Sequence, residues 1–450
     1  MNLKDIKKIY FLGIGGIGMS ALARFFNMQA CEVLGYDKTP TALTIALEKE
    51  GIDVHYDDFP DLILNDIDLV VYTPAIPNDL NEYQKVLSLK LPIKKRAEVL
   101  GIITADIPTI ALAGTHGKTT MTSIVAHVLH SAGKNVTAFI GGIAKNFNSN
   151  FVLSPKPDYI VVEADEFDRS FLKLFPDIAV VSSMDADHLD VYGEKDQMAK
   201  SFNLFVNQIK NGGVLISKSG LNLHTNHKHL TYSSNEGDLC LSGMKVENGK
   251  FVYSVQSKGK VLGEIKFGLP GLHNVENSLA AIAVALELGL SFSEIKRGLE
   301  TYLGVHRRFD IQLNTKDVVF IDDYAHHPEE LKACIHAVKE LYPGKKILGI
   351  FQPHLYSRTR DFAEEFALSL ESLDVIVLLD IYPARELPVP GVDSNMLLNL
   401  INSENKYLFS KTELLQKINE FDAYVFLTLG AGDIDRLVEP ISRELSQRIV

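Results

Sequence analysis

The sequence predicts an α/β protein of three domains, each a largely parallel sheet covered by helices. Two observations carry this. Short apolar runs alternate with helical patterns from end to end, and continuous apolar runs suit strands buried on both faces. Three separate strand-loop-helix starts, at residues 13, 113 and 322, then argue for three such units in succession.

The expected strands are Ile6–Leu12, Leu69–Thr73, Thr109–Ala113, Tyr159–Val162, Ile178–Ser182 and Val214–Ser217, then Val318–Ile321, Ile347–Phe351, Val375–Leu379 and Tyr424–Thr428. Domain boundaries are expected near Ile103–Pro108 and Leu303–Arg308, giving domains 1–105, 106–305 and 306–450. Residues 222–268 are polar with short alternating patches, and read as antiparallel hairpins on the edge of the central domain.

A chain of 450 residues favours two to four domains over one core. Its 57 acidic and 45 basic residues leave a formal net charge of −12. That argues against a nucleic-acid or anionic-membrane surface protein, which needs concentrated basic charge. It does not exclude a phosphorylated small molecule, held by a few local donors. Cys31, Cys240 and Cys334 form no CxxC pair, which fits a reducing compartment. The N-terminus lacks the apolar core of a signal peptide, and no uncharged apolar run is long enough to span a bilayer. A soluble, cytoplasmic protein is the expectation.

The strongest motif is Gly114-Thr115-His116-Gly117-Lys118-Thr119-Thr120, which follows a strand and opens a helix. Glycines let backbone N–H groups curl around a phosphate, and the helix N-terminus adds partial positive charge. Lys118 can reach β- and γ-phosphates, and the Thr119 hydroxyl can bind Mg²⁺. The standard pattern has an earlier glycine where Leu112 stands, so this is a shortened loop opened by Gly114. A plain Gly-bearing turn would not combine strand, loop, Lys-Thr and helix. The central domain is therefore expected to be P-loop ATPase-like.

Gly13-Ile14-Gly15-Gly16-Ile17-Gly18 fits GxGxxG after a strand, with Asp37 ending the next strand. Alone this marks a Rossmann-like domain that could hold NAD. The same loop can grip any diphosphate, with Asp37 facing the nucleoside. Nothing downstream reads as a hydride-transfer site.

Glu163, Asp165, Glu166 and Asp168 follow Tyr159–Val162, and Asp185, Asp187, His188 and Asp190 follow Ile178–Ser182. Carboxylates at strand ends beside a phosphate loop are placed to bind Mg²⁺. Four carboxylates in six residues repel unless a cation offsets them. An acidic solvated turn is the bland alternative, and a zinc site is disfavoured because no Cys accompanies the His.

In the last third, His306-Arg307-Arg308-Phe309 offers guanidiniums for a charged oxygen. Asp322-Asp323-Tyr324-Ala325-His326-His327-Pro328 places two histidines at a strand-to-helix turn, where one could deprotonate an amine. Arg358 and Arg360 could capture a carboxylate, and Gly430–Asp433 reads as a tight turn.

These motifs, with Gly271-Leu272-His273-Asn274-Val275-Glu276-Asn277 between them, occur in the order seen in Mur ligases. The chain resembles that family over essentially its whole length, and its N-terminal Gly13–Ser20 looks like the member that adds L-alanine to UDP-N-acetylmuramate. The resemblance implies a UDP-sugar-binding first domain (through Gly15, Gly16, Ile17, Gly18 and Asp37), an ATP-binding second domain and a Rossmann-like third domain that closes with the amino acid. It implies that Gly114 to Thr120 hold ATP, that Thr119, Glu163 and His188 serve Mg²⁺, and that His273, Asn274 and Asn277 lie near adenine. Arg308 and Asp323 would reach ATP, while His326 and Arg358, with Arg360 a further candidate, would serve the amino acid. Lys118, Arg308 and His326 would be catalytic. ATP would phosphorylate the sugar-borne carboxylate, and the amine would attack the acyl phosphate.

Some positions depart from the family: Phe167 stands where Ser is common, and Leu355 stands where Arg is common. Several members carry a modified lysine after the Asp-His motif, for which Lys200 is a candidate here. Monomer or homodimer are both compatible. Rival readings are a murein-peptide recycling ligase, a NAD-dependent dehydrogenase using Gly13–Gly18, and a non-catalytic nucleotide-binding regulator.

Overall fold

A computed structural model describes residues 3–167, 169–185, 195–247, 249–384 and 386–448. The chain divides into two compact units, Met1–Gly243 with Ser254–Ile265 and Glu276–Tyr302, and Met244–Tyr253 with Lys266–Val275 and Leu303–Val450. Three sheets organise them. Among the described residues no helix is long and apolar enough to cross a membrane.

The first sheet holds β1 (Lys8–Leu12), β2 (Glu32–Tyr36), β3 (Asp53–His55), β4 (Leu69–Tyr72) and β5 (Ile93–Lys95) in the order β3-β2-β1-β4-β5. Every pairing is parallel. Helices α1 (Ile17–Met28), α2 (Ala42–Lys49) and α3 (Asn81–Ser88) lie between the strands, and α4 (Arg96–Ala105) leads from β5 to the second sheet. Ile9, Phe11, Leu69 and Val71 face one core, and Tyr10, Leu12 and Val70 the other, so β1 and β4 are buried on both sides.

The second sheet begins with β6 (Thr109–Ala113), β7 (Val136–Ala144), β8 (Ser149–Val152), β9 (Tyr159–Glu163), β10 (Ile178–Val181), β11 (Val214–Lys218) and β12 (Lys228–Tyr232). It ends with β13 (Leu239–Glu247), β14 (Lys250–Ser257) and β15 (Lys260–Phe267), in the order β15-β14-β13-β12-β11-β10-β6-β9-β7-β8. All five residues of β6 are buried, as the apolar run required. From β6 the chain enters α5 (Lys118–Ser131). The hairpin expectation for 222–268 needs correction at β12, which lies parallel to both β11 and β13, because its chain returns to the edge of the parallel sheet. The strands β13, β14 and β15 follow as sheet neighbours in chain order.

The third sheet comprises β16 (Asp310–Asn314), β17 (Val319–Asp323), β18 (Ile347–Phe351), β19 (Val375–Leu378), β20 (Lys406–Leu408) and β21 (Val425–Leu429), ordered β16-β17-β21-β18-β19-β20. Only β16 runs antiparallel. The helix Pro328–Leu341 starts on Pro328, with His327 as its N-cap accepting from Glu329 N–H at 3.4 Å. Proline suits that first position because its missing N–H would have no helical partner. Cys31, Cys240 and Cys334 are buried free thiols.

Candidate functional site

Strand β6 is the middle of a buried parallel sheet, so its C-terminal end delivers residues 114–117 to the sheet edge where α5 begins. Gly114 adopts φ +141° and Gly117 φ +79°, where L side chains rarely go. A Cβ at Gly114 would stand 2.1 Å from Ser182 Oγ, and one at Gly117 would stand 2.6 Å from Asn277 Oδ1. The loop is laced to the end of β10. Thr115 Oγ1 donates to Ser183 Oγ at 2.9 Å, His116 N–H donates to the same oxygen at 2.9 Å, and Ser182 Oγ donates to the His116 carbonyl at 2.7 Å. Thr119 and Thr120 are buried in the first turn of α5.

Lys118 turns back over the loop. Its Nζ donates to the Gly114 carbonyl and to Glu166 Oε1, each at 2.8 Å. Burial alone would lower the Lys118 pKa, but Glu166, Asp165 and Glu163 raise it, so the ammonium keeps its charge. Burial pushes the Glu166 carboxyl up to about 7, against the pull of Lys118. Thr119 Oγ1 donates to Glu163 Oε2 at 2.9 Å, and Gly141 N–H donates to the same carboxylate oxygen at 3.0 Å. Two of the expected metal ligands, Thr119 and Glu163, are thus in contact.

Two of these acids have cationic partners within the chain. Lys118 answers Glu166, and Arg96 lies 3.7 Å from Asp165. Glu166 was expected as a magnesium-side acid rather than as the partner of Lys118, and Arg96 was not singled out from the sequence. The signal for Arg96 was faint: an arginine closing the run Lys94-Lys95-Arg96 at a strand end. Ser183 is another residue the sequence did not flag. Asp168, Asp187, His188 and Asp190 lie outside the described residues.

In the N-terminal glycine loop, Gly13 and Ile14 N–H both donate to the Tyr36 carbonyl, and Gly16 N–H donates to the Gly13 carbonyl. Asp37 was expected to face a nucleoside. In the structure its Oδ2 accepts from Gly15 N–H at 2.8 Å and its Oδ1 from Thr39 N–H at 3.2 Å, so it braces the loop itself. Ile17 and Gly18 open α1, and a Cβ at Gly18 would stand 2.6 Å from the Arg96 guanidinium. Arg96 therefore touches both this loop and the acidic segment.

The motif at 271–277 separates by role. Asn277 packs against Gly117, Asn274 Nδ2 donates to the Pro270 carbonyl at 2.6 Å, and the His273 ring lies against Gly271.

In the second unit both arginines of the His-Arg-Arg-Phe run lie over the Tyr324 ring, and Arg307 makes further polar contacts. The Arg307 guanidinium donates to the Gly430 carbonyl at 2.6 Å and to Asp322 at 3.3 Å, which makes it a brace for the turn after β21. Arg308 lies over the Tyr324 ring at 4.7 Å. Asp323 accepts from Phe309 N–H at 2.7 Å and Ala325 N–H at 2.8 Å, and burial raises its carboxyl to about 6 against the pull of Arg308. His326 Nδ1 stands 3.0 Å from the Tyr324 carbonyl and 3.2 Å from Glu330 Oε2. Arg358 is buried, whereas Arg360 is exposed and paired with Asp361 at 2.7 Å. Leu355 carries φ +70° just before the helix Tyr356–Asp361 that holds both arginines.

A cavity of about 680 Å³ lies elsewhere, walled by Phe25, Phe26, Ile103, Leu153 and Ile160. It contains neither glycine loop nor the Lys118–Glu166 pair, so size alone does not locate the chemistry.

Three family models match the chain in order: the Mur ligase family catalytic domain over 8–107, the Mur ligase middle domain over 112–285 and the Mur ligase glutamate ligase domain over 307–433. The chain belongs to the Mur ligase family. Like the family at large, this Mur ligase is ATP-dependent. It is 48% identical to UDP-N-acetylmuramate–L-alanine ligase of Flavobacterium psychrophilum over 100% of both chains. It is also 48% identical to the ligase of the same name from Porphyromonas gingivalis W83, over 98% of this chain and 99% of that one. The crystal structure of UDP-N-acetylmuramate-alanine ligase MurC from Thermotoga maritima superposes with a TM-score of 0.84 at 30% identity, covering 98% of each chain. A murein peptide ligase from Psychrobacter arcticus shares the fold, with a TM-score of 0.73 at 22% identity over 97% of this Mur ligase and 99% of that chain.

Proposed function

We propose that this Mur ligase joins L-alanine to the carboxylate of UDP-N-acetylmuramate at the expense of ATP, in peptidoglycan precursor synthesis. The observation that carries the chemistry is the convergence of Lys118, Thr119, Glu163 and Glu166 on one phosphate loop. The substrate pair rests on full-length identity of 48% to ligases named for it. The murein peptide ligase of Psychrobacter arcticus is 22% identical. A cytoplasmic enzyme, monomeric or homodimeric, fits a nucleotide-sugar substrate and ATP.

We assign the UDP-sugar to residues 1–105, ATP to 106–305 and the amino acid to 306–450. A carboxylate resists amines because its leaving group is poor. The sugar-borne carboxylate oxygen attacks the γ-phosphorus of ATP, the β–γ bond breaks, and ADP departs. Lys118 offsets phosphoryl charge, together with Arg308. Thr119 Oγ1 and Glu163 Oε2 are hard oxygen donors that would hold Mg²⁺. Magnesium when bound would neutralise phosphate charge. Asn277, His273 and Asn274 flank the adenine, and Asp323 steadies Arg308. The alanine amine gives up a proton to His326, attacks the acyl carbon, and phosphate leaves as the amide forms. Arg358 holds the alanine carboxylate.

The test is phosphate release with ATP, Mg²⁺ and UDP-N-acetylmuramate across single amino acids. Release that depends on UDP-N-acetylmuramate and is fastest with L-alanine is expected. Release with a murein peptide but not with L-alanine would replace this reading with the recycling one.

A further inference from the structure

We propose that Asn150 is a positioning residue, and that the ribbon formed by β7 and β8 sets the spacing between the sugar-nucleotide loop and the ATP loop. The proposal rests on the ligase reading above and adds a residue to it.

The ribbon sits at the edge of the second sheet, with β8 outermost. Its outer strand meets α1. Phe25 of α1 packs on Phe139 and Phe151 at ring distances of 6.0 and 6.3 Å. Inside this apolar contact lies the side chain of Asn150, with no exposed surface. Its Nδ2 donates to the Ile17 carbonyl at 2.6 Å and to Ser20 Oγ at 3.0 Å, and its Oδ1 accepts from the Arg24 guanidinium. Arg24 in turn forks onto Glu50 with two contacts of 2.7 Å. Every polar atom of the amide is used, and all three partners stand on the first two turns of α1. Ile17 belongs to the glycine loop that opens this helix.

The inner strand holds the other loop. Gly141 N–H donates to Glu163 Oε2, the oxygen that also accepts from Thr119. A Cβ at Gly141 would stand 2.1 Å from that oxygen, so the backbone of β7 is pressed directly against it. One short hairpin therefore grips the helix behind the diphosphate loop with Asn150 and the acid beside the phosphate loop with Gly141.

Phosphoryl transfer needs the sugar carboxylate in line with the γ-phosphorus, and misplacement of about 1 Å can cost about 100-fold in rate. A buried amide serves such spacing better than apolar contact, because hydrogen bonds fix direction and fall away steeply with angle.

The test is positional isotope exchange in ATP labelled at the β–γ bridge, with UDP-N-acetylmuramate present and amino acid absent. This reads reversible acyl-phosphate formation alone. For Asn150→Ala, exchange per folded molecule is expected to fall at least about tenfold. Calorimetric Kd values for ADP alone and for UDP-N-acetylmuramate alone should stay within about threefold, since each loop is intact. A merely structural role would lower Tm and leave exchange per folded molecule unchanged. Asn150→Asp keeps the volume and the Arg24 contact but loses the donors to Ile17 and Ser20. It should slow exchange likewise, and it decides the matter where the alanine variant does not fold. Wild-type exchange that both variants match would overturn the proposal alone. Wild-type exchange with no dependence on UDP-N-acetylmuramate would sink the ligase reading and this proposal together.

Discussion

Thr119 and Glu163 meet through one hydrogen bond of 2.9 Å, in which the threonine hydroxyl donates to the carboxylate Oε2. Strands β6 and β9 are parallel neighbours, so the residues following them emerge side by side. That register brings together two oxygens separated by 44 positions in the chain. Both are expected to face Mg²⁺. Thr119→Ala should raise the magnesium concentration for half-maximal phosphate release about tenfold or more. Glu163→Gln should do so more strongly. An unchanged magnesium titration in both variants would refute the assignment.

Lys118→Ala removes the ammonium held between Gly114 and Glu166. Turnover should fall below detection while UDP-N-acetylmuramate binding, followed by calorimetry, survives. Loss of both together would contradict the assignment of ATP and sugar to different domains.

Gly114→Ala should abolish nucleotide binding. The backbone strain at φ +141° costs roughly 1–3 kcal/mol, and the new methyl would collide with Ser182 and the Ser183 backbone nitrogen. Nucleotide affinity measured with ADP checks this. Wild-type affinity would mean that the loop's shape is not what grips the phosphates.

Arg358 and Arg360 looked equivalent in the sequence. The structure buries Arg358 and leaves Arg360 exposed beside Asp361. Arg358→Ala should raise the KM for L-alanine about tenfold or more, consistent with the loss of a charge-assisted hydrogen bond. Arg360→Ala should leave it within about twofold, as expected for an exposed ion pair. Reversal of that order in steady-state kinetics would move the carboxylate site.

His127 is buried on α5 with Nε2 3.0 Å from Thr301 Oγ1, and burial lowers its pKa to about 4. A free imidazole takes up its proton near 6.5. The neutral ring therefore contributes stability at neutral pH that is lost as pH falls from about 6.5 towards 4. The Tm of the wild type should drop over this window by more than that of His127→Gln. Equal drops, measured by thermal denaturation against pH, would rule the effect out.

Most of the fold was legible because its strands are buried on both faces. Thr109–Ala113 and Ile347–Phe351 appear with the expected bounds. Short strands such as Asp53–His55 and Lys406–Leu408 lack a continuous apolar run, since they lie at sheet edges and need cover on fewer sides. The phosphate loop was legible because its glycines, lysine and threonine are local in sequence. Arg96 and Asn150 were not, because each acts through a partner brought close by sheet register or helix packing. His327 shows the opposite failure: its neighbourhood looked catalytic, yet it caps a helix.

The burial of Cys31, Cys240 and Cys334 leaves the native thiols slow towards maleimides, because burial disfavours the reactive thiolate. A cysteine introduced at exposed Met28 or Leu387 would be the fast-reacting one. Fluorescent dyes attached at these two positions, one on each compact unit, would let energy transfer follow the units' separation in solution as ATP and UDP-N-acetylmuramate are added, without first deleting any natural residue.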